Sequence, residues 1–201
     1  STHGTVADLR VRCVRAGEYR PGYDAAPALV HRNVCRFIAM RSFESGGSMY
    51  IYTAVEHVPW KSLAEHIRAG MRLSQSDLMQ IMTALLGALD SMEWPGSPVV
   101  HNAVNPGNIL IRSPSDLGDL KLTGFGSAQY EALGPVPASG SGDELYYAAP
   151  ERLDGGGSVR SDVFSAGAVM YWLVYGFTPW HTDLSGKTAA EQERILRERR
   201  K

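Results

Sequence analysis

With 201 residues, the chain suits one large domain or two closely packed lobes, and its 44% apolar content is enough to bury an ordinary core. The 20 basic and 21 acidic residues leave a formal charge of −1, so no global field favours nucleic acid or anionic lipid. Cys13 and Cys35 form neither a disulfide framework nor a metal-ligand spacing, and no apolar run approaches ~18 residues. The N-terminus lacks a basic start and an apolar signal core, so a soluble, cytoplasmic protein is the expectation.

In chain order, the alternation from Val6 to Val14 predicts one or two strands, ended by Ala16-Gly17-Glu18. Arg20-Pro21-Gly22-Tyr23-Asp24 is turn chemistry, and Ala25 to Val30 has room for only a short helical piece. Val34 to Met40 and Met49 to Val55 are apolar runs around Ser45-Gly46-Gly47-Ser48, which predicts a β-hairpin.

After Trp60 the period changes. Ser62-Leu63-Ala64-Glu65 is a capping box, in which a hydroxyl and a carboxylate satisfy orphan backbone amides, and its helix ends at Gly70. Leu78, Ile81, Met82, Leu85, Leu86, Leu89 and Met92 recur at three and four, predicting an amphipathic helix over 75–92. Ser74 or Ser76 caps it, and Pro95-Gly96 stops it.

Val99-Val100, Ile109-Leu110-Ile111 and Leu120-Lys121-Leu122 read as short strands around loops, and 130–148 as irregular. Asp154 to Ser158 is a turn. Ser161-Asp162 then caps a segment from Val163 to Tyr175, closed by Gly176. Being apolar nearly all round, this helix is expected inside the domain. Thr188-Ala189-Ala190-Glu191 is a second capping box, opening an Arg-rich helix. The class is α+β, a small strand-rich part followed by a larger helical one.

Four separated strings sharpen this reading: His101-Asn102-Ala103-Val104-Asn105-Pro106-Gly107-Asn108-Ile109-Leu110, Gly124-Phe125-Gly126, Ala149-Pro150-Glu151, and Ser161-Asp162-Val163-Phe164-Ser165-Ala166-Gly167. In this order and spacing, over roughly residues 28–182, the chain resembles a protein kinase domain. The resemblance implies a bilobal kinase-like fold, with a reduced, strand-rich N-lobe over 1–58 and a mainly helical C-lobe over 59–201, shortened after the helix that starts near 188. No lysine lies between Glu18 and Val34, so the family's third strand and most of its helix find no place there.

Phosphoryl transfer in the family is mainly positioning plus charge stabilisation. By the same resemblance, the proton-accepting Asp is Ala103, the phosphate-binding Lys is Asn105, the magnesium-holding Asp is Gly124 and the loop Arg is Asn102. Asn108 is kept, but one neutral amide is a poor site for a hard cation. The expectation is a pseudokinase: not an enzyme, with no cofactor, no ATP and no Mg. It would serve as a non-catalytic protein-binding, scaffolding or allosteric module, or as a structural subunit of a larger assembly. Its partners would be proteins, without nucleic acid or a membrane span. The alternative is a nucleotide-binding sensor or unconventional low-activity transferase with a remodelled cleft, which needs an acid from Asp116 or Asp119.

Individual roles follow. Asn108 and Leu110 are relics of a nucleotide site; His101, Phe125, Glu151 and Asp162 are structural. His101 packs near Phe125, Asn108 bridges its own loop, and Asp162 bonds the backbone amides at 101–103. Glu151 lacks its usual Arg unless Arg160 or the tail supplies one. Asp116 and Asp119 form a solvated turn, and Arg194, Arg197, Arg199 and Arg200 a solvated helix end. Tyr52 and Trp60 line either core or cleft.

Overall fold

A computed structural model describes residues 9–16, 29–93, 98–133 and 142–200. Strands β1 (Leu9–Arg15), β2 (Phe37–Ser45) and β3 (Ser48–Glu56) form an antiparallel sheet in the order β1-β3-β2. The alternating N-terminal stretch makes one described strand, paired from Leu9↔Glu56 to Arg15↔Tyr50. Gly4-Thr5-Val6 and residues 25–28 of the expected helical piece lie outside the described residues. The hairpin is tighter than its apolar runs suggest. Gly46 (φ 56°) and Gly47 (φ 71°) make a two-residue turn of the mirror type, whose twist matches that of the strands. The ladder therefore continues to Ser45↔Ser48.

The capping box forms as read: the Ser62 N–H donates to Glu65 Oε2 (2.7 Å), and the Glu65 N–H donates to Ser62 Oγ (3.2 Å). It links β4 (Lys61–Ser62) to α1 (Leu63–Arg68) and buries Leu63 completely. In α2 (Gln75–Asp90), Ser74 is the cap, because Asp77 stands where it can answer Ser74 reciprocally. The buried side of α2 is Ile81, Met82, Leu85, Ala88 and Leu89. It packs on a second sheet, β4-β6-β7, made with β6 (Ile109–Ser113) and β7 (Asp116–Leu122). The sheet's buried side chains, Ile109, Ile111, Leu117, Leu120 and Leu122, complete the main core.

Residues 31–35 are stitched to this second sheet. The Cys35 N–H donates to Leu122 O (2.9 Å), the Leu122 N–H to Asn33 O (2.7 Å), and the buried Asn33 amide to Leu120 O (2.8 Å). Lys121 pairs with Glu56 at 3.0 Å, joining the ends of the two sheets; burial raises the Glu56 carboxyl, but the Arg36 N–H and then Lys121 hold it below its usual range. A small ribbon pairs β5 (Val99–Val100) with β8 (Gln129–Tyr130). Short helices α3 (Gly142–Leu145) and α4 (Pro150–Leu153) lead to α5 (Val159–Tyr175) and α6 (Ala189–Arg199).

Two expectations about α5 need correction. Its cap is Ser158, in a box with Ser161, so Asp162 lies in the first turn with its carboxylate directed elsewhere. Nor is the helix enclosed: Ala166, Ala168 and Val169 are buried, while Val163, Met170, Val174 and Tyr175 are exposed. Of the arginines at this helix end, Arg194 and Arg199 are exposed as expected, while Arg197 and Arg200 are half-buried and engaged. Arg194 pairs with Glu198, Arg197 with Asp154 and Glu193, and Arg200 donates to Leu145 O and lies 4.3 Å from the Trp180 ring centroid. Among the described residues, no helix is long and apolar enough to cross a membrane.

The assignment of the α2 face is testable. Leu85→Ala, at a fully buried position, is expected to lose about 2–5 kcal/mol by chemical denaturation. Leu86→Ala, 40% exposed, should stay within about 0.5 kcal/mol of wild type. Equal losses at the two positions would reject this face.

Candidate functional site

The segment from Val99 to Ile111 leaves β5, turns through a polar loop and enters β6. His101 is fully buried at its start. Its Nε2–H donates to Thr123 O (2.9 Å), Nδ1 accepts from the Ala103 N–H (3.2 Å), and the ring meets Phe125 edge-on at 4.6 Å. These contacts select the neutral Nε2–H form. Burial pushes the ring's pKa down to about 4, against the pull of the Thr123 carbonyl. A sealed, neutral imidazole holds shape but does not exchange protons with a substrate.

Asp162 reaches this loop from α5. Its Oδ2 accepts the His101 N–H (2.6 Å) and its Oδ1 the Asn102 N–H (2.9 Å). Burial pushes this carboxyl up to about 7, while those two N–H donors and the Arg152 charge pull it down. Asn102 itself has φ 65°, a left-handed conformation that Asn tolerates better than most residues. Its amide donates to Ser127 O (3.0 Å), tying the loop to the segment after Gly126.

The remainder of the loop closes on one carbonyl. Asn105 Nδ2 (3.0 Å) and Asn108 Nδ2 (2.8 Å) both donate to Ala103 O, and Asn105 Oδ1 accepts the Gly107 N–H (2.8 Å). The Thr123 N–H donates to Asn108 O (2.9 Å), holding the loop to the end of β7. Gly124 is required twice over. Its φ is 87°, and a Cβ there would stand 2.4 Å from Asn108 Cγ.

His101, Asn102, Ala103, Asn105, Asn108, Gly124, Phe125 and Asp162 therefore converge. Leu110 is half-buried in β6 opposite Lys121. Glu151 lies to one side, exposed, and accepts the Ser161 hydroxyl (2.6 Å); a serine stands where an arginine was sought, and Arg160 is exposed. Asp116 is exposed at the start of β7, and Asp119, a strand residue, pairs with Arg112 at 3.1 Å. Tyr52 and Trp60 are both half-buried, and Tyr52 lies 6.3 Å from Phe43 on the first sheet. Beside the loop runs a groove of about 520 Å³, with Pro106 and Gly107 on one wall and Tyr146, Trp172 and Phe177 among its other lining residues.

Sequence reasoning missed Arg152, which is buried although it follows Ala-Pro-Glu in a stretch that reads as surface. It also missed Gly157, where a Cβ would meet Asn102 Oδ1 at 2.7 Å and Arg152 Cδ at 2.9 Å. No periodicity marks either position.

Two outcomes check this geometry. Because the folded pKa of His101 lies below its unfolded value, the unfolded chain takes up a proton first as pH falls. The neutral ring's contribution is complete above about 6.5 and is lost toward pH 4. Asp162 contributes with the opposite slope, in wild type and variant alike. The stability gap between wild type and His101→Gln should therefore narrow by up to about 3 kcal/mol between pH 7 and 4, measured by urea unfolding; a constant gap would reject a buried neutral ring. Gly124→Ala should cost about 1–3 kcal/mol, and less in an Asn108→Gly background, where the clash is relieved.

The chain matches the protein kinase domain over residues 24–200. It is 33% identical over 147 residues to the probable serine/threonine-protein kinase PknB of Bifidobacterium longum, covering 71% of this chain and 21% of that protein. Over 108 residues it is 35% identical to serine/threonine-protein kinase PknL of Mycobacterium tuberculosis (53% and 26%), and over 182 residues 24% identical to serine/threonine-protein kinase tousled-like 1 of Caenorhabditis elegans (85% and 19%). The chain thus spans between 19% and 26% of the length of these relatives. The expectation that the chain is not an enzyme is corrected by this comparison: its relatives are named serine/threonine kinases and point to an enzyme. That expectation rests on single aligned positions, Ala103, Asn105 and Gly124, which carry less weight than similarity running through 24–200. On that span of similarity, and on an α+β architecture of small sheets and helices that agrees with it, the chain belongs to the protein kinase family.

Proposed function

We propose that this domain of the protein kinase family engages a polypeptide, as a binding or allosteric module, through the groove beside its loop. One observation carries the reading. The loop on one side of the groove is ordered by its own residues, since the side-chain amides of Asn105 and Asn108 both close on Ala103 O. The groove beside the loop offers a concave surface with Trp172 and Phe177, residue types suited to anchoring a polypeptide.

One measurement tests this. A photoreactive residue in place of Phe177 is expected to crosslink a polypeptide in cells, whereas the same group at Arg112 should not. No crosslink at 177, or an equal crosslink at 112, would overturn the proposal.

A further inference from the structure

We propose that Lys121 is a latch between the two sheets: its ammonium holds both ends of the β2–β3 hairpin and so fixes how the first sheet stands over the face that carries Leu110. Lys121 Nζ donates to Glu56 Oε2 (3.0 Å) at the end of β3 and to Val34 O (3.4 Å) shortly before β2. Glu56 Oε2 also accepts the Arg36 N–H (3.0 Å), and the Glu56 N–H donates to Arg36 O (2.7 Å). Among the described residues, the chain passes between the two sheets at 35–36 and at 57–60, so one ammonium bears on both crossings. Strand alternation gives the side of attachment. Ile109, Ile111, Leu120 and Leu122 are buried in the core that α2 shares. Leu110 and Lys121, opposite one another in the ladder, therefore face the other way, toward the sheet that carries Glu56.

The pair is sheltered. The Lys121 side chain is 17% exposed, against 41–65% for the arginines of the other ion pairs among the described residues, so salt screens it less than those. The segment just before the hairpin is held to β7 by different bonds. The Cys35 N–H donates to Leu122 O, and the Asn33 amide donates to Gly118 O (3.0 Å) and Leu120 O (2.8 Å). Those bonds do not involve the ammonium. Removing it therefore leaves 33–35 on β7 and frees the hairpin to turn about the two crossings. The latch is independent of any polypeptide in the groove beside the 101–108 loop.

The test is the distance between spin labels at Ser45→Cys, at the tip of the hairpin, and Ser115→Cys, in the turn between β6 and β7. It is read by double electron–electron resonance on the 201-residue chain in a Cys13→Ser background, where buried Cys35 stays unlabelled. Lys121→Met keeps the length of the side chain and removes its charge, and is expected to widen the distance distribution at least about twofold. Glu56→Gln, which keeps an acceptor for the Arg36 N–H, is expected to widen it likewise. Lys121→Arg, which keeps the charge, should stay close to the unsubstituted distribution. Amide exchange at Cys35 is expected to remain within about twofold in all three variants. An unchanged distribution in either Lys121→Met or Glu56→Gln would overturn the proposal, as would equal widening in Lys121→Arg. Faster exchange at Cys35 alongside the widening would also overturn it, because the second sheet itself would then have loosened.

Discussion

Asp162 accepts hydrogen bonds from the backbone N–H groups of His101 (2.6 Å) and Asn102 (2.9 Å), and the order of the neighbouring chain follows from where that carboxylate sits. Fixing those two amides fixes the direction in which the chain leaves β5. His101 is then turned into the core, where it finds Thr123 O and Phe125, and Asn102 takes the left-handed backbone that reverses the loop. A buried carboxylate with two charge-assisted bonds is costly to leave unsatisfied. The loop therefore has one favourable conformation rather than several. Asp162 in turn is held by the packed first turn of α5, whose Ser158 and Ser161 box sets where that turn begins.

From that anchor the remaining bonds of the loop are local. Asn105 and Asn108 close on Ala103 O, and the Thr123 N–H returns to Asn108 O. Each is a neutral bond worth about 1 kcal/mol, but two share the Ala103 carbonyl and all three hold the short stretch 103–108, so they hold or fail together. Gly124 fits this arrangement because both its backbone and the space beside Asn108 exclude a side chain. The residues that depart from the family pattern are thus mutually compatible in their present conformation.

Much of this was legible in the sequence because it is governed by short-range rules. The Ser62–Glu65 and Thr188–Glu191 boxes, the α2 periodicity and the Gly-Gly hairpin each follow from a few adjacent residues, and each appears. The family was legible from motif order, and His101 against Phe125 and Asp162 against the 101–102 amides followed from it. What sequence could not supply were facts of long-range geometry. The start of α5 was misplaced because Ser158 and Ser161 compete with Asp162 for the capping role, and Asp162 has stronger partners about 60 residues away. The burial of α5 was overstated because an apolar composition does not say how many sides have neighbours. Arg152 went unnoticed because nothing local distinguishes a buried arginine from an exposed one. The conclusion about enzymatic status erred by letting three positions outweigh the whole span of similarity.

The side chains of Asn102 and Arg152 both close on the space beside Gly157. At φ 65° a long side chain at 102 would gain nothing from the local backbone, whereas Asn is tolerated there and its amide reaches Ser127 O. The volume above Asn102 is already filled, since even a methyl group at Gly157 would lie inside contact distance of both Asn102 and Arg152. A longer side chain at 102 would have to displace the Arg152 stem. The buried arginine at that point comes from α4 rather than from the loop, so the placement of α4 and the shape of the loop are constrained by the same packing beside Gly157.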